Sequence, residues 1–168
     1  MIKGILFDWH GVLVESDEGK SERTKLIYSK LMENTATEDE IIEIVKSYKK
    51  YEPLWELLPT LKQYFKMCVV NNGPKATYDY WDKYYGYSEF MGFVNSEIEG
   101  VEKPEPEIYK IACEKVGVNT DEVIYMDDSC GFPEETEQLN MNFIHWDSTE
   151  NGLKKFKEFL EKYADIKL

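Results

Sequence analysis

Gly4-Ile5-Leu6-Phe7-Asp8-Trp9-His10-Gly11-Val12-Leu13 is the stretch on which the reading of this chain turns. A short apolar run, Ile5 to Phe7, stops at a carboxylate, and Gly11 follows where the chain must turn. A parallel strand covered on both faces has this composition. In an open α/β sheet, ligands bind outside the carboxyl ends of the strands. Asp8 is therefore the first candidate for chemistry. Taken alone it could equally be an aspartate that only caps the next turn. What favours chemistry is that later strand ends also carry polar groups.

Outward from that stretch, strands alternate with helices. Residues 2–7 read as the first strand. Charge is dense from Glu15 to Lys25, and helical spacing follows in Leu26, Ile27, Lys30 and Leu31. Thr37-Glu38-Asp39-Glu40 has the form of a capping box and predicts a second helix through Ile41, Ile42, Ile44, Val45 and Tyr48. Pro53 ends that helix or begins another. Residues 15–52 thus read as a small helical hairpin inserted after the first strand. Leu54, Leu57, Leu58, Leu61 and Phe65 predict a helix over 54–65. Met67-Cys68-Val69-Val70 is a short strand ending at the turn signal Asn71-Asn72-Gly73-Pro74. Thr77 to Tyr85 is an aromatic-rich helix whose rings are read as packing, and Met91 to Val94 is a third strand.

Lys103-Pro104-Glu105-Pro106 opens an amphipathic helix (Ile108, Ile111, Ala112, Val116) with Gly117 as its C-cap. Val123 to Met126 is a strand ending in Asp127-Asp128-Ser129, with a short helix expected from Pro133 to Leu139. Asn142 to His145 is a fifth strand, and Leu153 to Tyr163 a closing helix. The pattern predicts an α/β fold with about five parallel strands and helices on both faces.

Composition narrows the partners. The 168 residues fit one domain with a small insert. Acidic side chains number 33 against 20 basic ones, a net charge of −13, and Arg23 is the only arginine. That balance argues against nucleic-acid and anionic-membrane partners. Apolar runs are far too short for a membrane span, and no signal-peptide pattern accompanies Met1-Ile2-Lys3. Cys68, Cys113 and Cys130 are odd in number and widely spaced, as reduced thiols are, which fits a cytoplasmic protein. A monomer or a homodimer is expected.

Three strand ends carry polar groups: Asp8, Asn71-Asn72 and Asp127-Asp128. Lys103 adds a cation at a helix start. In a parallel sheet these ends share one edge. Carboxylates converging there repel one another and invite a hard divalent cation; magnesium takes one or two carboxylates together with phosphate oxygens and water. Lys103 and the amides of Asn71 and Asn72 are then donors for a bound dianion.

This order of motifs resembles the haloacid dehalogenase-like (HAD) superfamily. Its first motif, Asp-x-Asp-Gly-Val/Thr after a strand, is matched by Asp8-Trp9-His10-Gly11-Val12. Asn71-Asn72-Gly73 stands where the family has a Ser or Thr, often followed by Asn-Gly. Lys103-Pro104 matches the third motif, and Asp127-Asp128 after a strand the fourth. The resemblance covers residues 1–13 and 54–147. It implies a Rossmann-like three-layer sandwich, with a core of residues 1–14 and 53–168 and a small helical cap over 15–52. It also implies roles. Asp8 is the nucleophile that forms an aspartyl-phosphate. Asp128 is the main side-chain magnesium ligand, Asp127 a second or outer one, and the His10 backbone carbonyl a further ligand beside Asp8. Asn71 holds the phosphoryl group, and Lys103 pairs with both Asp8 and the phosphate.

His10 departs from the resemblance, because family phosphatases carry a second Asp there as acid and base. Three readings stay open. His10 replaces that Asp, its imidazole titrating at roughly pH 6.5, in a magnesium-dependent phosphatase of a small phosphorylated compound. Or His10 marks lost catalysis, leaving a binding or regulatory protein. Or the chemistry differs: dehalogenases lack the second Asp, and phosphonoacetaldehyde hydrolases share Trp9. The acidic pair and the absence of an Arg just after the first motif disfavour the dehalogenase. A phosphonatase needs a Schiff-base lysine, for which Lys20, Lys25 and Lys30 are available.

Overall fold

Successive residues of a strand face opposite ways, and here that alternation sorts the core into two layers. Ile5 and Phe7 of β1 (Gly4–Phe7) pack on one side of the sheet with Met67 and Val69 of β4 (Lys66–Asn71) and Ile124 and Met126 of β6 (Val123–Asp127). Leu6, Cys68, Val70, Val123 and Tyr125 pack on the other side, against Ile108, Tyr109, Ala112 and Cys113 of α7 (Pro106–Val116). The computed structural model describes residues 1–15, 21–129, 137–164 and 166.

The main sheet has five parallel strands in the order β5-β4-β1-β6-β7, with β5 spanning Gly92–Asn95 and β7 Asn142–His145. Helices cover both faces, so the α/β expectation holds. β1 lies at the centre, paired with β4 and β6, which puts their carboxyl ends side by side. Phe7 is level with Met126, so Asp8 is level with Asp127, and Asp127 shares the parity of Tyr125. Asp8 shares the parity of Leu6. The two carboxylates therefore emerge on the α7 side of the sheet, where the segment carrying Lys103 leads into that helix.

The segment after β1 leaves and returns through a two-stranded antiparallel neck. β2 (Val14–Glu15) pairs with β3 (Lys49–Lys50), Val14 opposite Lys50. Between them lie α1 (Glu22–Met32) and α2 (Glu38–Ser47). The Thr37 hydroxyl accepts from the Glu40 N–H, and the Glu40 carboxylate accepts in return from the Thr37 N–H. Lys30 reaches from α1 to that same Glu40, and Arg23 pairs with Glu43. The Leu13 carbonyl receives the Tyr51 N–H at 3.0 Å and the Trp55 indole N–H at 2.7 Å, tying the two ends of the insert together.

Two local expectations change, and the choice left open at Pro53 closes. The helix expected over 54–65 is two, α3 (Glu52–Trp55) and α4 (Leu58–Tyr64), because Pro59 in the first turn of α4 has no N–H to continue the earlier ladder. Pro53 begins α3 rather than ending α2. Lys103 precedes α7 by a turn, and Pro106 is the proline in its first turn. α5 (Lys75–Tyr85) and the closing helix α8 (Glu150–Ala164) stand where expected. The helix expected from Pro133 lies largely outside the described residues, as do Cys130 and Lys20. Cys68 and Cys113 are buried free thiols. Among the described residues, no helix is long and apolar enough to cross a membrane.

α2 packs on α5, and the Tyr85 hydroxyl is shared between the Val45 carbonyl at 2.6 Å and the Tyr48 carbonyl at 2.8 Å. These acceptors are at the C-terminal end of α2 and are buried. Tyr85→Phe leaves them short of a donor and is expected to cost about 1–3 kcal/mol in urea-monitored unfolding. A cost within error of zero would show that water replaces the hydroxyl there.

Candidate active site

Asp8 is the residue after β1, and its N–H donates to the Met126 carbonyl at 2.8 Å, which continues the ladder into the site. The next side chain, Trp9, turns the other way. It is fully buried against Trp81, Tyr85, Tyr87 and Phe93, with ring centroids 5.4–5.9 Å away. Trp9 is thus an anchor that fixes both its neighbours. Gly11 then turns at φ +79°, and a Cβ there would lie 2.0 Å from an oxygen of Asp128. Only glycine lets the Asp128 carboxylate approach this loop.

The Lys103 ammonium stands between two carboxylates, 2.8 Å from Asp8 Oδ1 and 3.1 Å from Asp127 Oδ2. Burial opposes its charge, but the two carboxylates hold its pKa above the ordinary lysine value. Burial also weighs on Asp127. Lys103 and its own hydrogen bonds more than offset this, and its pKa falls to about 2. Those bonds come from the Ser129 N–H and hydroxyl and from the Tyr125 hydroxyl. Asp127 is therefore a saturated carboxylate. Asp8 is different. Burial, with Asp127 nearby, pushes its pKa up to about 7 against the pull of Lys103. Its Oδ1 takes both Lys103 and the Trp9 N–H, and its Oδ2 has no partner among the described residues.

Asp128 makes no ion pair among the described residues, and burial with Asp127 beside it raises its pKa. The three carboxylates bring oxygens within 4.8 Å of one another. They open into a cavity of about 400 Å³ with His10, Asn71, Asn72 and Lys103 also in its wall. The structure thus brings all the expected site residues to one rim. Asn71 is 1% exposed, and neither its amide nitrogen nor its amide oxygen has a partner among the described residues. Asn72 is occupied: its amide accepts the Lys103 N–H at 2.8 Å and donates to the Lys103 carbonyl at 3.0 Å, so it clamps the lysine loop.

His10 sits apart from the expectation of an imidazole titrating near neutrality. It stacks on Tyr48 at 4.9 Å and meets Trp81 edge-on at 5.9 Å, and its Nε2 is buried with no partner among the described residues. Burial, with Lys103 adding to it, lowers its pKa to about 4. The imidazole is neutral at pH 7. Tyr48, Tyr125 and Ser129 were not among the residues singled out in the sequence. Tyr125 was findable, because on a strand it shares a face with Asp127 two residues on. Tyr48 was not, since nothing local ties it to His10.

Two of the three lysines a phosphonatase would draw on are ion-paired, and Lys20 lies outside the described residues. Lys25 pairs with Glu22 and Lys30 with Glu40, both within the insert.

Comparison with known proteins agrees with the fold. No curated protein matches the sequence. Solved structures do. A HAD family enzyme from Bacteroides thetaiotaomicron, in complex with magnesium and inorganic phosphate, superposes with a TM-score of 0.73 at 17% identity, over 93% of this chain and 100% of that one. A predicted HAD-like hydrolase from Porphyromonas gingivalis gives 0.74 at 17% identity, over 95% and 98%. A HAD-superfamily hydrolase from Ehrlichia chaffeensis gives 0.71 at 14%, over 98% and 99%. At these identities the likeness is one of fold. The family profile of the haloacid dehalogenase-like hydrolases matches residues 18–130. Asp8 lies outside that span, and its place rests on the geometry above. With more than half of its length matched, the chain belongs to the haloacid dehalogenase-like hydrolase family.

Proposed function

We propose that this protein is a magnesium-dependent phosphohydrolase acting on a small phosphorylated compound through Asp8. The observation that carries the reading is the division of labour among the carboxylates. Asp127 is saturated, whereas Asp8 Oδ2 and the Asp128 carboxylate line one cavity and have no ion-pair partner among the described residues. Such a donor set fits magnesium, which takes one or two carboxylates and keeps its remaining positions for water and phosphate. Asp8, Asp128 and the His10 carbonyl would hold the ion, with Asp127 behind them. When bound, magnesium neutralises charge between the nucleophile and the phosphate dianion.

The chain's own residues do the rest. Lys103 and the Trp9 N–H hold the Asp8 carboxylate in place, and one of its oxygens attacks phosphorus in line with the departing ester oxygen. The Asn71 amide and Lys103 donate to the phosphoryl oxygens. The ester oxygen leaves with the bonding electron pair, and the Asp8 acyl phosphate remains. Water then attacks phosphorus, and phosphate departs as Asp8 regains its carboxylate. A neutral His10 accepts a proton from that water but has none to give the leaving oxygen. The first half-reaction therefore favours leaving groups stable as anions, such as phenols. We assign residues 15–52 the role of a cap over this cavity, carried on the β2–β3 neck.

A second reading has its own observation. Tyr48 pins the His10 ring, which suits a weakly active relative that binds a phosphorylated ligand. The test is phosphate release from aryl phosphates with magnesium. Asp8→Asn is expected to lose at least about a thousandfold in kcat. Activity surviving in Asp8→Asn would remove Asp8 as nucleophile. A silent native protein that gains activity as His10→Asp would favour the second reading.

Two further outcomes follow without turnover. Millimolar magnesium is expected to raise the Tm of the native protein and to do so far less in Asp128→Asn; equal shifts would place the ion elsewhere. With divalent cations chelated, the folded Asp8 pKa of about 7 stands above its ordinary 3.8. Between those values the folded state keeps a proton that the unfolded state has lost, so stability falls as pH rises. Asp8→Asn removes that slope. Its Tm advantage over the native protein is expected to grow from pH 5 to pH 8, by about 2–4 °C for each kcal/mol recovered. A constant difference across that range would show that Asp8 is ionised throughout.

A further inference from the structure

A second cavity, of about 530 Å³, adjoins the first. One wall is a stripe of α1, Tyr28, Leu31 and Met32, three and four residues apart and so on one helix face. Tyr28 is 39% and Met32 62% exposed, whereas Leu31 between them is buried. The opposite wall carries Glu97, from the short helix α6 (Ser96–Glu99), with Glu102 and Glu105. Among the described residues, no lysine, arginine or histidine lines it. Glu97 accepts the Lys75 N–H and Glu105 the Glu102 N–H, which fixes these carboxylates without neutralising them. Among the described residues none of the three is ion-paired.

The two cavities meet at Asn72, whose clamp on Lys103 forms their common wall. Lys103 belongs to the first cavity, and its neighbours Glu102 and Glu105 to the second. Gly73, in the second, lies against Asn71: a Cβ on it would be 2.7 Å from Asn71 Nδ2. Asn71 itself lines the first cavity, with Gly73 between it and the second. One ligand reaching across both cavities, its phosphoryl group beside Lys103 in the first, would meet the apolar stripe in the second.

We propose that the second cavity receives the leaving group of the substrate, and that this group is an apolar body bearing a cation, a phenol that carries an alkylammonium. The inference rests on the phosphohydrolase reading and adds the substrate class to it. The α1 stripe takes the hydrocarbon, and the three carboxylates face the ammonium. The same carboxylates repel a leaving group with a carboxylate or a second phosphate.

The test uses the full chain with magnesium and three aryl phosphates of matched size: 4-(aminomethyl)phenyl, 4-methylphenyl and 4-(carboxymethyl)phenyl phosphate. kcat/KM is expected to fall in that order, by about tenfold from first to last. Glu97→Gln with Glu102→Gln is expected to shrink the span about fivefold. Hydrolysis with no preference, or with the carboxylate preferred, overturns the inference while the phosphohydrolase reading stands. If none of the three is hydrolysed, that reading fails, and the cavity is decided by NMR titration of the full chain with benzylammonium and with phenylacetate. Benzylammonium binding that weakens in the double variant supports the cation site. Equal or absent binding of both overturns it.

Discussion

The Lys103 ammonium, held between Asp8 and Asp127, is the interaction on which the rest of the site depends. Parallel pairing of β1 with β6 brings the two carboxylates level, and without a cation between them neither could stay ionised so far from water. The lysine does not divide its effect evenly. Asp127 has further donors and settles as a stable anion. Asp8 has only Lys103 and one N–H, and it sits near the point of ionisation in the metal-free protein. A carboxylate balanced in that way is responsive to one more positive charge, which is what a divalent cation between Asp8 and Asp128 would add.

Placing that ammonium takes backbone as well as side chain. Asn72 grips both the N–H and the carbonyl of Lys103, so β4 and the segment before α7 are joined at the rim of the sheet. Tyr125 reaches Asp127 from within β6, and its ring packs against Tyr109 of α7. The order of elements around the site is thus β4, β1, β6, with one lysine and two polar clamps joining them.

Much of this was legible in the sequence. Short apolar runs that stop at polar residues located β1, β4 and β6, and the parity of a strand puts Asp8 and Asp127 on one side. The capping box at Thr37 and the glycine after Val116 marked helix ends because the chemistry of those ends is local. What stayed hidden was long-range. Asn72 reads as a donor to substrate until its amide is seen to be taken by Lys103, thirty-one residues on. His10 reads as a neutral-range imidazole until Tyr48 and Trp81 close over it. Burial sets both outcomes, and burial at these points is made by residues far along the chain. Pro59, which splits the helix expected over 54–65, was a local signal that the apolar spacing masked.

Trp9 has a wider effect. It lies between Asp8 and His10 in the chain, yet its ring belongs to the aromatic cluster of α5 and β5. The interior on that side is therefore mechanically part of the rim. A change of volume at Trp81 or Phe93 reaches a reactive carboxylate through a single peptide unit. Drift in the hydrophobic interior and drift in function are not independent for this molecule: residues that never touch a ligand carry part of its geometric tolerance.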